Sequence, residues 1–262
     1  MRTENFTQKF CLAWHTVKTG VFCTVFVLCL TLSFPNQATA QLMTCAFHVQ
    51  GDRQSMFRTG RIEGNFPISR SMNMREGETY GYGQVNRLLG DIIIYDGVSY
   101  IAVPGIAGVE VTQRDDLNAL FLAYGASRVW SEIPLERDFE GLREVENFIA
   151  DMAEELNMDM SQMFLFRIEG EAKYLRFSAI HHDPADTSRH TLGRHEVAKR
   201  YFTLKNEPVK IIGAWSSEEN WGRYTARSEH IRMYFINENG DKAGHIHDIR
   251  LEENANLYWP NC

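Results

Sequence analysis

The sequence predicts an α+β domain whose sheet is mostly antiparallel, curved or barrel-like, with few helices. Three observations carry this: many short β-rich runs separated by loops, one segment with helical periodicity, and two turns of hairpin type.

Taken in chain order, the first element is a leader. Arg2, Lys9 and Lys18 precede an apolar run over 21–34, and Ala38-Thr39-Ala40 supplies the small-x-small pattern that signal peptidase accepts. The run is shorter than the ~20 residues a membrane span needs. Residues 1–40 are therefore expected to be a cleaved signal peptide, and 41–262 one exported domain, secreted or periplasmic, with no membrane span after cleavage. Residues 41–82 are polar and interrupted by glycines, which predicts short strands and loops rather than a helix. Next, Asp91-Ile-Ile-Ile-Tyr-Asp96-Gly97-Val-Ser-Tyr-Ile-Ala-Val103 places two β-rich runs about Asp-Gly, a hairpin signal.

Over 142–156, Leu142, Val145, Phe148, Ile149, Met152 and Leu156 recur at three- and four-residue steps, with acidic residues between them. That is an amphipathic helix lying on a sheet. Met158, Met160 and Met163 have no matching histidine pattern and read as core filler. Strand-like runs follow at 163–168, 174–180, 201–204, 209–215, 230–236 and 245–251. The last two join through Asn237-Glu-Asn-Gly-Asp-Lys-Ala-Gly244, a turn centred on Asn-Gly.

The whole chain carries a formal net charge of −7, and the leader removes three basic and one acidic side chain, so the exported part is more acidic still. Nucleic acid is excluded as a partner by this balance, because phosphate binding needs a basic surface. Of five cysteines, only Cys45 and Cys262 lie outside the leader, and an oxidising compartment invites one disulfide between them.

Histidines cluster in the last third. His181, His182, His190 and His195 lie in a stretch of loop composition and read as solvated or capping residues. His245-Ile-His247 is more specific, since alternation along a strand puts both imidazoles on one face. If Tyr234 lies opposite His245, then Arg232 lies opposite His247, and His230 extends the same face. Two chemistries are open to that set. Three histidines with an open position make a zinc Lewis acid. Alternatively, Arg232 and Tyr234 hold a carboxylate or hydroxyl with no metal, although polar side chains on the exposed face of a hairpin have the same pattern.

Five segments in this order resemble the α-acetolactate decarboxylase family. They are Gln54-Ser55 with Gly60-Arg-Ile-Glu-Gly64, Leu88-Leu-Gly-Asp91-Ile-Ile-Ile-Tyr-Asp96-Gly97, Met163-Phe-Leu-Phe-Arg-Ile-Glu-Gly170, Ile212-Gly-Ala-Trp215, and Phe235-Ile-Asn237 with Ala243-Gly-His245. The resemblance implies zinc on three histidines, arranged His-x-His, ten residues, Gly-Gly-His. Here Arg232 and Tyr234 stand where the first two ligands belong, and His245 alone is in place. The resemblance also puts the family's acidic residue at Asp91 and its strand arginine at Ser178, with Arg176 two positions away.

The expectation is an exported relative with a rebuilt pocket that binds a small oxygen-rich ligand and lacks the standard activity. Its pocket residues are Asp91, Arg176, Arg232 and Tyr234. The alternative is a zinc carboxy-lyase on acetolactate or a related 2-hydroxy-3-oxo acid, with zinc on His245, His247 and His230. A third possibility is an interaction protein that uses the scaffold alone, and an exposed sheet edge is compatible with a homodimer.

Overall fold

The computed structural model describes residues 47–73, 78–225 and 228–261. It opens with β1 (Phe47–Gln50), α1 (Arg53–Thr59), the two-residue β2 (Phe66–Pro67) and α2 (Ile68–Ser71). Five strands follow: β3 (Glu78–Val85), β4 (Asp91–Tyr95), β5 (Val98–Pro104), β6 (Val109–Gln113) and β7 (Asn118–Ser127). After β8 (Trp130–Pro134) come α3 (Leu142–Glu155), β9 (Phe164–Ile180) and α4 (Leu192–Val197). The last strands are β10 (Lys199–Leu204), β11 (Glu207–Trp215), β12 (Ile231–Asn237), β13 (Ala243–Leu251) and β14 (Asn256–Pro260).

These make two seven-stranded antiparallel sheets. The first runs β1-β7-β3-β4-β5-β6, with β2 on β7. Asp96 and Gly97 turn β4 into β5, and their φ of 49° and 73° satisfy the two-residue turn that matches strand twist. The pleat sorts the isoleucines of β4: Ile93 and Tyr95 join the cluster between the sheets, while Ile92 and Ile94 pack against Ile68, Leu122 and Tyr124 on the other face.

The second sheet is organised by β9. Its first half pairs with β11 and β14, and its second half with β13 and β10. Because β11 also pairs with β12 and β12 with β13, four strands close into a ring. This is the barrel-like curvature expected from the sequence. Helix α3 covers the sheet with Val145, Ile149 and Ala153, all buried in the second sheet's core. Burial of side chains the size of Val and Ile contributes about 1.5–3 kcal/mol each.

A guanidinium pins the sheets together. Arg167, on β9, is buried among the rings of Tyr80, Tyr95, Trp130 and Tyr258, at 4.6 to 5.1 Å from their centroids. Its Nε donates to the Tyr95 hydroxyl and its Nη1 to the Tyr80 hydroxyl, both at 3.0 Å, and Glu169 supplies the countercharge.

Two expectations are corrected. The stretch over 41–82 does contain a helix: the Asp52 side chain caps α1 by accepting from the Gln54 N–H at 2.9 Å, and Gly60, at φ 76°, ends it. The glycine that reads as a loop marker is a helix stop. The runs over 163–168 and 174–180 are a single strand, for Gly170 does not interrupt β9 but lets Ala255 approach where a Cβ would lie 2.3 Å from it. The leader 1–40, Cys45 and Cys262 lie outside the described residues. No described helix is long and apolar enough to cross a membrane.

Candidate functional site

Alternation along β12 places Arg232 and Tyr234 on one face, and the register sets Tyr234 directly opposite His245 on β13. There the pairing of these two strands ends. His245 is also opposite Ser178 of β9, and Ile246 is opposite Phe177, so beyond this point β13 follows β9 while β12 stays with β11. A cavity of about 560 Å³ lies at this divergence, lined by Arg232 and Met233 of β12 and by His245 and His247 of β13. Helix α1 adds Arg53 and Phe57, one turn apart, and α4 adds Leu192 and Glu196.

The cavity lining sets Arg53, Lys199 and Arg232 against Glu196 and Glu229, and its charges are incompletely paired. Arg232 is buried, donates from Nη2 to the Tyr234 hydroxyl at 2.9 Å, and leaves its buried Nε without a partner. Arg53 likewise has a buried Nε without a partner. Among the described residues, neither guanidinium has a carboxylate within ion-pair distance. Burial, and then the charge of Arg232, lower the Arg53 pKa to about 10. Lys199 is better served, since its Nζ lies 2.7 Å from Glu196 Oε1, and the Tyr201 hydroxyl donates to the other Glu196 oxygen at 3.0 Å.

The same environment keeps the histidines neutral. Burial, followed by the Arg232 charge, holds His245 well below the usual imidazole range, and its buried Nδ1 has no partner. His247 is lowered to about 4 by burial and then by Lys199 and Arg232. Its Nε2 lies 2.8 Å from Ser178 Oγ, so the position resembling the family's arginine supports a histidine here. Tyr234 is sandwiched between His245, at 5.0 Å between ring centroids, and Tyr82, stacked at 4.9 Å.

Asp91 stands apart from the cavity lining. It is buried, accepts from the Ile180 N–H at 3.0 Å, and is raised to about 7 by desolvation, against the pull of the Arg232 charge. Arg176 is exposed on the far side of Tyr201, its guanidinium 4.9 Å from that ring, and lines a separate shallow groove. His230 is not brought to the pair: it stacks on Trp215 at 4.7 Å, meets Trp221 edge-on, and its Nδ1 lies 2.9 Å from the Ser216 carbonyl oxygen. It precedes β12 and packs with the aromatic cluster instead.

The first histidine group also differs from expectation. His182, His190 and His195 are buried, not solvated, with His190 Nε2 3.3 Å from His195 Nδ1 and Phe57 packed on both rings. Short α4, capped by Thr191, folds this loop-like stretch inward. Arg53, Lys199 and Ser178 were not singled out from the sequence as cavity or histidine-contacting residues. For Arg53 a usable signal existed in Asp52 and Gly60, the two ends of a short helix carrying it toward β12.

A three-histidine zinc centre does not fit these residues. On the β12 face beside His245 and His247, among the described residues, stand the cation Arg232 and Tyr234 rather than a third histidine. Among the described residues no three His, Cys, Asp or Glu side chains are arranged to hold a metal.

Two antiparallel sheets and a strand ring define a β-rich scaffold, with a cavity of about 560 Å³ where two of the ring's strands part. The chain belongs to the alpha-acetolactate decarboxylase family, whose model matches residues 50–261. Alpha-acetolactate decarboxylase from Bacillus subtilis strain 168 is similar in structure, with TM-score 0.65 and 17% identity over 82% of this chain and 86% of that one. A Staphylococcus aureus protein of unknown function, similar to alpha-acetolactate decarboxylase, gives TM-score 0.66 and 15% identity over 81% and 83% of the two chains. No curated protein matches by sequence.

Proposed function

We propose that this protein is an exported family member that binds a small oxygen-rich carboxylate in the cavity and lacks the zinc-dependent decarboxylation implied by the family name. One observation carries the reading: Arg53 and Arg232 both line the cavity, and among the described residues neither guanidinium has a carboxylate within ion-pair distance. A guanidinium facing a cavity without a carboxylate partner offers charge-assisted hydrogen bonds, and an acid entering the cavity supplies the missing countercharge. Neutral His245 and His247 add hydrogen bonds for hydroxyl or keto oxygens.

Decarboxylation of a 2-hydroxy-3-oxo acid leaves an enediolate, whose charge needs strong electrostatic stabilisation. Losing one principal stabiliser of developing charge typically costs about 10²–10³ in rate. His245 and His247, with no third donor among the described residues, are a poor basis for a tight zinc Lewis acid.

The test has two parts. Calorimetric titration with 2-hydroxybutyrate is expected to show saturable binding that Arg232→Gln weakens at least tenfold, while the uncharged amide of the same acid does not bind. Zinc analysis and an acetoin assay on racemic acetolactate are expected to find substoichiometric metal and no acetoin. Stoichiometric zinc lost on His245→Ala, together with acetoin release, would overturn the reading in favour of the lyase.

A further inference from the structure

We infer that the ligand is an amphipathic acid, a 2-hydroxy or 2-oxo carboxylate with a chain longer than five carbons or an aryl substituent, held head-first on Arg232 and Arg53. The inference rests on the carboxylate reading above and adds the ligand's size and polarity.

Size is the first ground. About 560 Å³ falls within the ~300–1,000 Å³ of pockets that enclose drug-sized ligands, and a five-carbon acid fills only part of it. The second is an apolar wall next to the guanidiniums. The guanidinium of Arg53 lies 5.3 Å from the centroid of Phe57, so on α1 the charged anchor passes directly into an aromatic wall. Leu142 and Leu192, the first residues of α3 and α4, continue that wall.

Leu192 is the third ground. It is 61% exposed, one of only a few large apolar side chains so exposed among the described residues, and it lines the cavity. A leucine left in water forgoes about 1.5–3 kcal/mol of burial, and a ligand tail leaving the guanidiniums would cover it. A compact, fully oxygenated acid would leave this apolar surface wet.

The test is a calorimetric series of straight-chain 2-hydroxy acids from four to ten carbons on the purified protein. Each added methylene is expected to tighten Kd roughly three- to fourfold, from ~0.8 kcal/mol per buried CH₂, over at least three carbons. Leu192→Ser is expected to reduce that gain per methylene, and Arg232→Gln to weaken every member by a similar factor. Affinity that stays flat or falls with length overturns the amphipathic ligand while leaving carboxylate binding intact. An absence of binding at every length overturns both.

Discussion

Tyr234 stands opposite His245 as the last cross-strand pair between β12 and β13, and its hydroxyl holds Arg232 in place by accepting from Nη2 at 2.9 Å. Tyr234→Phe keeps the ring sandwiched but leaves a buried charged donor unmatched. The expected loss is about 1.5–3 kcal/mol in urea unfolding, with weaker carboxylate binding in parallel.

Gly244 explains why a glycine precedes His245. Its φ is 158°, and a Cβ there would sit 2.4 Å from the Ser178 carbonyl oxygen on β9. Gly244→Ala must push β13 off β9, which separates His247 from Ser178. A destabilisation of about 1–3 kcal/mol is expected, along with loss of binding by calorimetry.

Arg167 fills a cage shared by both sheets, so its removal exposes two tyrosine hydroxyls and the carboxylate of Glu169 at once. Arg167→Ala is expected to cost about 3–5 kcal/mol, and Arg167→Lys to recover only part, because a lysine cannot stack in the cage or donate as a planar fork. Thermal unfolding of the two variants checks the order.

Acid is expected to unfold the protein through its histidines. His190 and His247 are lowered from 6.5 to about 4, chiefly by burial, and His195 and His245 are lowered further. Below pH 6.5 the unfolded chain binds protons that the folded chain refuses, so stability falls as pH drops from about 6.5 to 4. Asp91 acts in the opposite sense. Raised from 3.8 to about 7, it binds a proton in the folded state that the unfolded state has released, so its contribution is lost as pH rises through that window. Asp91→Asn removes the opposing slope, and urea midpoints at pH 7, 6, 5 and 4 should then fall more steeply than in the unsubstituted protein.

Much of this was legible in the residues themselves. Asp96-Gly97 and Asn239-Gly240 set hairpin turns by their backbone preference, and alternation put Arg232 in line with Tyr234. Such signals are local, and local sequence reports them well. His230 broke from the pattern because alternation says nothing about where a strand begins, and Trp215 with Trp221 offered its ring a better partner than the cavity. The burial of His190 and His195 was hidden for a related reason. Polar loop composition does not reveal that Phe57, more than 130 positions earlier, packs on both rings.

The branching of β9 carries a kinetic consequence. The ring closes where β13 pairs with β9, and His245 stands opposite Ser178 across nearly seventy positions of chain. Neither of β9's partners within the ring, β11 and β13, is the next strand in the chain, so the loop entropy of those closures falls due before their contacts are gained. Folding of the ring is therefore expected to be slow, on the millisecond-to-second scale of non-local β topologies, and the cavity between β12 and β13 can form only after that closure.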